Sequence, residues 1–421
     1  MEKKRGFYSF LAVLVLTGFA WTSGCSEPSG IANTPPPSNT IPSWDSDPTV
    51  ATAAGGFTLN EGTVSGNPAP TVLYYYAKDP AKVPGEYNFE DDAHWNEATV
   101  GLPTIAAIDD YNCYGVAVNS EGTSLSSRVD FTIPAPVAGD TQTIAAGDLV
   151  FDLQYCPGAS ADSMPIGTDD AVLYGSIISA FWLSETEVTY ELWKDVITWA
   201  AGNGYSFANT GTRGDGSGDT DQHPVSMLNW RDAMLFGNAL TEWYNANNGN
   251  RSDLSCVYHT NSAYTDPIRQ VDDSEIPDVT AGAQDNPYID TGADGFRLPK
   301  MYEWECAARY IDGSSWTPGN YASGATEAYT SAAECSRVAV YGTSSAAAVK
   351  SKDPNTLSCY DMSGNMWEFC FDEWYPWDGS HRVVQSGGWN NAASTLQVGQ
   401  TQNLYAYTEM QWVGFRLCRN P

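Results

Sequence analysis

Bases are scarce in this chain: 20 Lys and Arg stand against 51 Asp and Glu, for a net charge of −31. No basic stripe is present to neutralise phosphates, which excludes a nucleic-acid partner. Histidine is scarcer still, with His94, His223, His259 and His381 as the full set. No two of them stand at helical i, i+3 or i+4 spacing, so they read as structural or surface residues. No Cys-x-x-Cys pair points to zinc, and past the N-terminus no run reaches the roughly 18 apolar residues of a membrane-spanning helix. Charged residues make up only 17%, while aromatics reach 13% alongside 38 Gly and 24 Pro. That mix excludes a helical bundle and a disordered chain and indicates a loop-rich, β-leaning globular protein. With 421 residues it accommodates two or three domains.

The N-terminus reads as a targeting segment. Lys3, Lys4 and Arg5 precede a mostly apolar stretch from Phe7 to Ala20, and Thr22-Ser23-Gly24-Cys25 follows. This resembles a bacterial lipobox, with Thr22 where Leu is usual, and implies a signal peptide over 1–25 and lipidation at Cys25. Several acyl chains on Cys25 would suffice for stable anchoring. The expected location is therefore a membrane-anchored lipoprotein on an extracytoplasmic face: outer membrane, cell surface or periplasm. Residues 26–47, with Pro35-Pro36-Pro37, read as a Pro/Ser-rich tether. Eight further cysteines, at 113, 156, 256, 306, 335, 359, 370 and 418, name no disulfide framework.

Residues 48–136 carry short strand signals at Thr71–Tyr76, Thr104–Ile108, Gly115–Asn119 and Arg128–Ile133, separated by turn residues. Tyr111 stands two residues before Cys113, as in a tyrosine corner, and the stretch resembles an immunoglobulin-like β-sandwich without its intersheet disulfide. His94 reads as a loop residue. From residue 148 to 421 the pattern changes to three helices among loops. Thr189 caps the first, with Leu192, Trp193, Val196 and Trp199 at helical spacing; Asn229 opens the second, with Ala233, Phe236, Leu240 and Trp243 on one face. The third spans Pro299–Tyr310.

An ordered set of motifs runs through this second region: Ser184-Glu185-Thr186-Glu187-Val188-Thr189, His223-Pro224-Val225-Ser226, Gly295-Phe296-Arg297-Leu298-Pro299 and Glu303-Trp304-Glu305. It continues with Asp361-Met362-Ser363-Gly364-Asn365-Met366-Trp367-Glu368, Gly387-Gly388-Trp389-Asn390 and Gly414-Phe415-Arg416-Leu417. Together they resemble the sulfatase-modifying-factor family, which includes the formylglycine-generating enzyme. The resemblance implies an α+β fold, a variant of the C-type-lectin fold with little regular secondary structure. It also implies a structural calcium held by the Asp361 and Glu368 side chains with the Gly364 and Met366 carbonyls, an oxygen-rich set of the kind calcium takes. The family's enzymes hold copper on a cysteine pair shortly after the Gly-Gly motif; here that interval has no cysteine before Cys418, so neither copper nor iron is expected. Arg213-Gly214-Asp215 reads as a chance tripeptide, and Asp215, Ser217, Asp219 and Asp221 as a solvated acidic loop.

Between Trp389 and Val413, amides, hydroxyls and aromatics mix without charge runs, the composition of an adaptable binding surface. Trp389, Asn390, Asn391, Ser394, Thr395, Gln400, Gln402, Tyr405, Tyr407 and Trp412 are the candidate ligand contacts. The frame also resembles the variable C-terminus of retroelement-diversified spirochaete lipoproteins. Ala392, Ser394, Thr395 and Tyr405 are reachable from a mutated AAC codon; Gln400, Gln402 and Trp412 are not. The expected function is a non-catalytic, lipid-anchored binding protein for a protein or glycan ligand. The alternative is a metal-dependent oxidoreductase of the formylglycine-generating family with displaced catalytic groups.

Overall fold

The computed structural model describes residues 38–78, 95–106, 109–216, 219–248, 254–374 and 379–421. Cys25, the 1–25 segment, most of the expected tether, His94 and Ser217 lie outside the described residues.

The tether ends earlier than residue 47. Thr40–Ser46 is a strand, paired antiparallel with Thr63–Asn67. Pro42 is tolerated because this strand pairs on one side only. Trp44 anchors it, packing edge-on to Tyr74 at 6.2 Å, above Gly115, where a Cβ would lie 2.2 Å from the indole. Composition hid this strand, because its one large aromatic stands in a Pro/Ser-rich stretch.

Two further sheets complete the N-terminal module. One runs in the order Val129–Thr132, Asp110–Asn119, Thr71–Ala77, Asn96–Ala98, with Gly122–Leu125 also paired to Asp110–Asn119. The other holds Thr49–Ala53, Gly56–Asn60 and Pro103–Ile105. Phe57 of the smaller sheet meets Tyr76 at 4.9 Å and Phe131 at 4.8 Å from the larger one, and Tyr111 stacks on Phe131. These rings, with Leu59, Cys113 and Ile133, form a core shared by the two sheets.

The second region begins near residue 140, not 148. Thr141–Ala146 pairs with Leu149–Cys156, which pairs with Phe181–Ser184, which in turn takes Cys418–Arg419 at its far edge. The end of the chain is thereby stitched beside the start of the domain. Helix α1, Tyr190–Ala201, is capped by Thr189, whose hydroxyl accepts from Leu192 N at 3.3 Å, and buries Leu192, Trp193, Val196 and Ala200. Helix α2, Trp230–Asn247, opens with a reciprocal Asn229–Asp232 capping box. It is buried almost all round instead of on one face, because it runs through the middle of the domain. Trp193 of α1 stacks on Phe236 of α2 at 5.0 Å, and Phe415 closes against both. Each such ring contributes about 1.5–3 kcal/mol by burial. Helix α3 covers Met301–Arg309; a fourth, α4 over Ala332–Val338, has no counterpart in the sequence reading.

A last sheet carries the C-terminal surface. Its order is Gln402–Tyr405, His381–Gln385, Trp367–Glu373, Val413–Gly414, the final pair parallel. Among the described residues, no helix is long and apolar enough to cross a membrane.

Candidate functional site

The turn after His381–Gln385 is shaped by backbone constraints. Gly387 sits at φ +81°, and a Cβ there would lie 2.7 Å from the Thr395 carbonyl oxygen. The chain then folds inward. Trp389 is 5% exposed, packed with Val340, Ala346 and Met366, so it belongs to the frame and not to the expected ligand surface. Asn391 is also frame: its Oδ1 accepts from Trp367 Nε1 at 2.6 Å and Gly388 N at 3.0 Å. Thr395 donates to the Ala392 carbonyl and Gln400 to the Thr401 carbonyl, and both, like Trp412, are half-buried. Asn390, Ser394, Gln402 and Tyr405 are the members of the expected set that face solvent. Tyr407 is half-buried and stacks on Tyr405 at 5.1 Å, and the His381 ring lies 4.2 Å from that of Tyr405. His381 is a part of this surface that the sequence reading did not assign. Its signal appears only in the sheet register, where it stands opposite Tyr405.

No thiol lies on this surface. All eight described cysteines are buried and free, and burial pushes the Cys113, Cys256 and Cys359 thiols up to about 12. Cys156 and Cys306 approach to 3.9 Å, but inside a second core with Trp304 and Leu183. Sulfurs enclosed in apolar cores are poor nucleophiles. Arg213 of the RGD tripeptide is engaged: it pairs with Asp221 and lies 4.8 Å over the Tyr190 ring.

Buried carboxylates gather at the Asp361–Glu368 motif. Asp361 and Asn365 both take positive φ, as does Gly364 between them, whose Cβ would strike the Val340 carbonyl oxygen at 2.4 Å. Asp361 Oδ2 accepts from Lys350 N at 2.9 Å, while Oδ1 is buried with no hydrogen-bond partner. Glu368 is committed: Arg416 donates Nε–H to Oε2 at 2.6 Å and Nη2–H to Oε1 at 2.7 Å, and Trp304 Nε1–H reaches Oε2 at 2.7 Å. One lone pair of Oε1 remains. Glu187, from the Ser184–Thr189 motif, joins them, accepting from Met366 N and Asn365 Nδ2, both at 3.3 Å. Burial, then the charges of Asp361 and Glu368, hold the Glu187 carboxyl well above the usual range. Burial likewise raises Asp361 to about 6, against Lys350 N and the Arg416 charge. Three carboxylates thus share one guanidinium out of water, an imbalance that favours a further cation.

The orphaned Asp361 oxygen fits a cation. Glu368 fits only through its remaining lone pair. Among the described residues, no group of three or more His, Cys, Asp or Glu could hold a metal ion, so a cation here would depend on backbone oxygens such as those of Gly364 and Met366. Glu187 also lines a groove of about 290 Å³, with Asp152, Glu185, Glu191 and Lys350 on its walls and Lys350 paired to Glu185.

Comparison with known proteins follows the same boundary. Residues 139–421 match the family described as sulfatase-modifying factor enzyme 1-like domain. The chaperone protein LppX of Paenibacillus barcinonensis is 25% identical over 235 residues, covering 52% of this chain and 73% of that one. Among solved structures, CarF is 25% identical with a TM-score of 0.49, covering 64% of this chain and 98% of its own. Treponema denticola variable protein 1 is 29% identical with a TM-score of 0.49, covering 68% and 100%. With two-thirds of its length in that match, the chain belongs to the sulfatase-modifying factor enzyme 1-like family.

Proposed function

We propose that this chain is a lipid-anchored, extracytoplasmic binding protein whose C-terminal face takes a ligand without turning it over. One observation carries the reading: the turn after Gly387-Gly388 holds no thiol, while its frame of buried Trp389 and half-buried Asn391 supports exposed Asn390, Ser394, Gln402 and Tyr405. Amides and tyrosines on a fixed frame give contact area and hydrogen bonding at low entropy cost. The relative LppX is named a chaperone, and a protein ligand accords with that name. In this reading Cys25 carries the lipid, the residues before Thr40 act as the tether, and the 40–132 strands form an immunoglobulin-like spacer. Calcium is structural, held by Asp361, the free lone pair of Glu368 and nearby carbonyls, with Glu187 beside it. Its charge would balance the buried carboxylates.

The test uses the full chain in vesicles, labelled and applied to glycan and peptide arrays. Binding to one array should disappear when Asn390, Ser394, Gln402 and Tyr405 are together changed to Ala, with the thermal transition unchanged. Oxygen uptake with a cysteine-containing peptide, and no array binding, would overturn the proposal and favour an oxidoreductase. A near-copy of the last codons beside a reverse-transcriptase gene, differing at template adenines, would add retroelement diversification of this face.

A further inference from the structure

Tyr405 is 45% exposed on a strand that, among the described residues, pairs on one side only. With Tyr407 nearly parallel to it and the His381 ring tilted against it, the three rings form a short ladder. A second segment, residues 272–280, borders that ladder. Glu275 acts electrostatically on the Tyr407 phenol, and Val279 fills the space a Cβ on Gly379 would need, two residues before His381. This loop exposes Asp272, Asp273, Glu275 and Asp278 together with Ile276, 78% exposed, and Val279, 49% exposed.

The stretches that carry the loop and the two tyrosines bring no base of their own. No Lys or Arg occurs from residue 270 to 296, nor from 383 to 415. Of the nearby arginines, half-buried Arg269 shares a groove with Asp272 and Asp278 and is paired with Glu242, and two others are spent beneath the surface. Arg231 is fully buried, paired with Asp285 and donating to the Asp272 and Ser274 carbonyls. Arg382 donates to the Asp285 carbonyl and lies 3.7 Å over the Trp230 ring. Arg231 pins the loop from below, also lying 3.5 Å from Asp272 Oδ1, and Arg382 is spent on Asp285 and Trp230.

We propose that the Tyr405–Tyr407–His381 ladder and the acidic 272–279 loop form one docking surface for a basic segment of a partner protein. The inference rests on the binding-surface reading above and names the ligand's chemistry. A guanidinium or ammonium laid against a tyrosine face is attracted by the ring quadrupole, and a guanidinium also stacks on it. The exposed carboxylates then meet a charge of opposite sign, which steers encounter as well as holding the complex. Ile276 and Val279 cover the aliphatic stem of the incoming side chain. A neutral sugar could stack on the same rings, but it would bring the exposed carboxylates no counter-charge of its own.

The probe is a fluorescent peptide alternating Arg and Leu, titrated against the full chain in phosphatidylcholine vesicles. Its controls are the citrulline-for-Arg peptide and a panel of neutral oligosaccharides. The arginine peptide should bind and the citrulline peptide should not. Tyr405→Ala with Tyr407→Ala should weaken binding roughly tenfold. Glu275→Gln with Asp278→Asn, on the exposed loop, should weaken it severalfold and flatten its salt dependence. Binding that survives the tyrosine change would show diffuse attraction to an acidic protein and overturn the proposal, as would no binding at all. If an oligosaccharide binds instead and is lost with the tyrosines, the docking chemistry is wrong while the binding-surface reading stands.

Discussion

Asp361 carries a buried oxygen with no hydrogen-bond partner, and that atom makes the calcium proposal testable through pH. Burial raises its carboxyl to about 6, against the Lys350 N–H and the Arg416 and Lys352 charges, with Glu368 adding to the rise. A raised folded value means that the protonated form suits the fold. The stabilising contribution is full below the unfolded value of about 4 and is lost as pH rises through about 6. In EDTA, the wild type should therefore lose stability relative to Asp361→Asn between pH 4 and pH 7. Calcium should close or reverse that gap above pH 6, because the cation replaces the proton. Calorimetry of both proteins across this range reads the difference directly; a gap that ignores calcium sinks the ion site. Asp361 and Glu368 were legible in the sequence as a motif. What was not legible is that Glu368 is taken up by Arg416 and Trp304, or that Glu187 arrives from the far end of the domain. Partners so distant along the chain leave no local spacing to read. Trp389 was misplaced for a related reason: an aromatic in a loop has no period that tells inside from outside.

At the level of elements, the helices were readable where a cap and a periodic face coincided. Thr189 and Asn229 both cap as their chemistry demands, and Leu192, Trp193 and Val196 fall on the buried side of α1. Helix α4 gave no such signal: its Ser331 makes no side-chain cap, and only Cys335 and Val338 are buried. The capping box of α2 is the sharper device, because Asn229 Oδ1 accepts from Asp232 N at 3.0 Å while Asp232 returns the bond at 3.2 Å. Asp232 further accepts from Ala208 N and Asn209, tying the preceding loop to the helix start. Replacing Asn229 with Ala removes one acceptor and leaves a buried N–H unsatisfied. The cost should be about 1–2 kcal/mol in urea denaturation, with circular dichroism unchanged in the native state. No loss would mean that water substitutes for the side chain at a position the structure shows as fully buried.

For the molecule as a whole, the N-terminal strands and the family domain share one compact unit from Asn39 to Pro421. The sequence suggested two separate domains, because short strand signals over 48–136 give way to helices among loops from residue 148. The join is nonetheless built. Gln142 donates to the Gly55 carbonyl at 2.5 Å and accepts from Arg419 at 2.9 Å, and Ile105 of the strand module enters the large core of the family domain. Gly55, at φ +73°, has no room for a Cβ against Gln142 and Trp182. A protease that cuts in the exposed 134–138 stretch should therefore leave two fragments that co-elute by size exclusion. Gln142→Ala removes the bridge between Gly55 and Arg419, leaving the buried guanidinium short of an acceptor. In that variant the fragments should separate, or their association should weaken measurably in a dilution series. Wild-type fragments that part at once would show instead that the strand module is an independent spacer. The C-terminal face would then be carried on a hinge instead of a rigid mount.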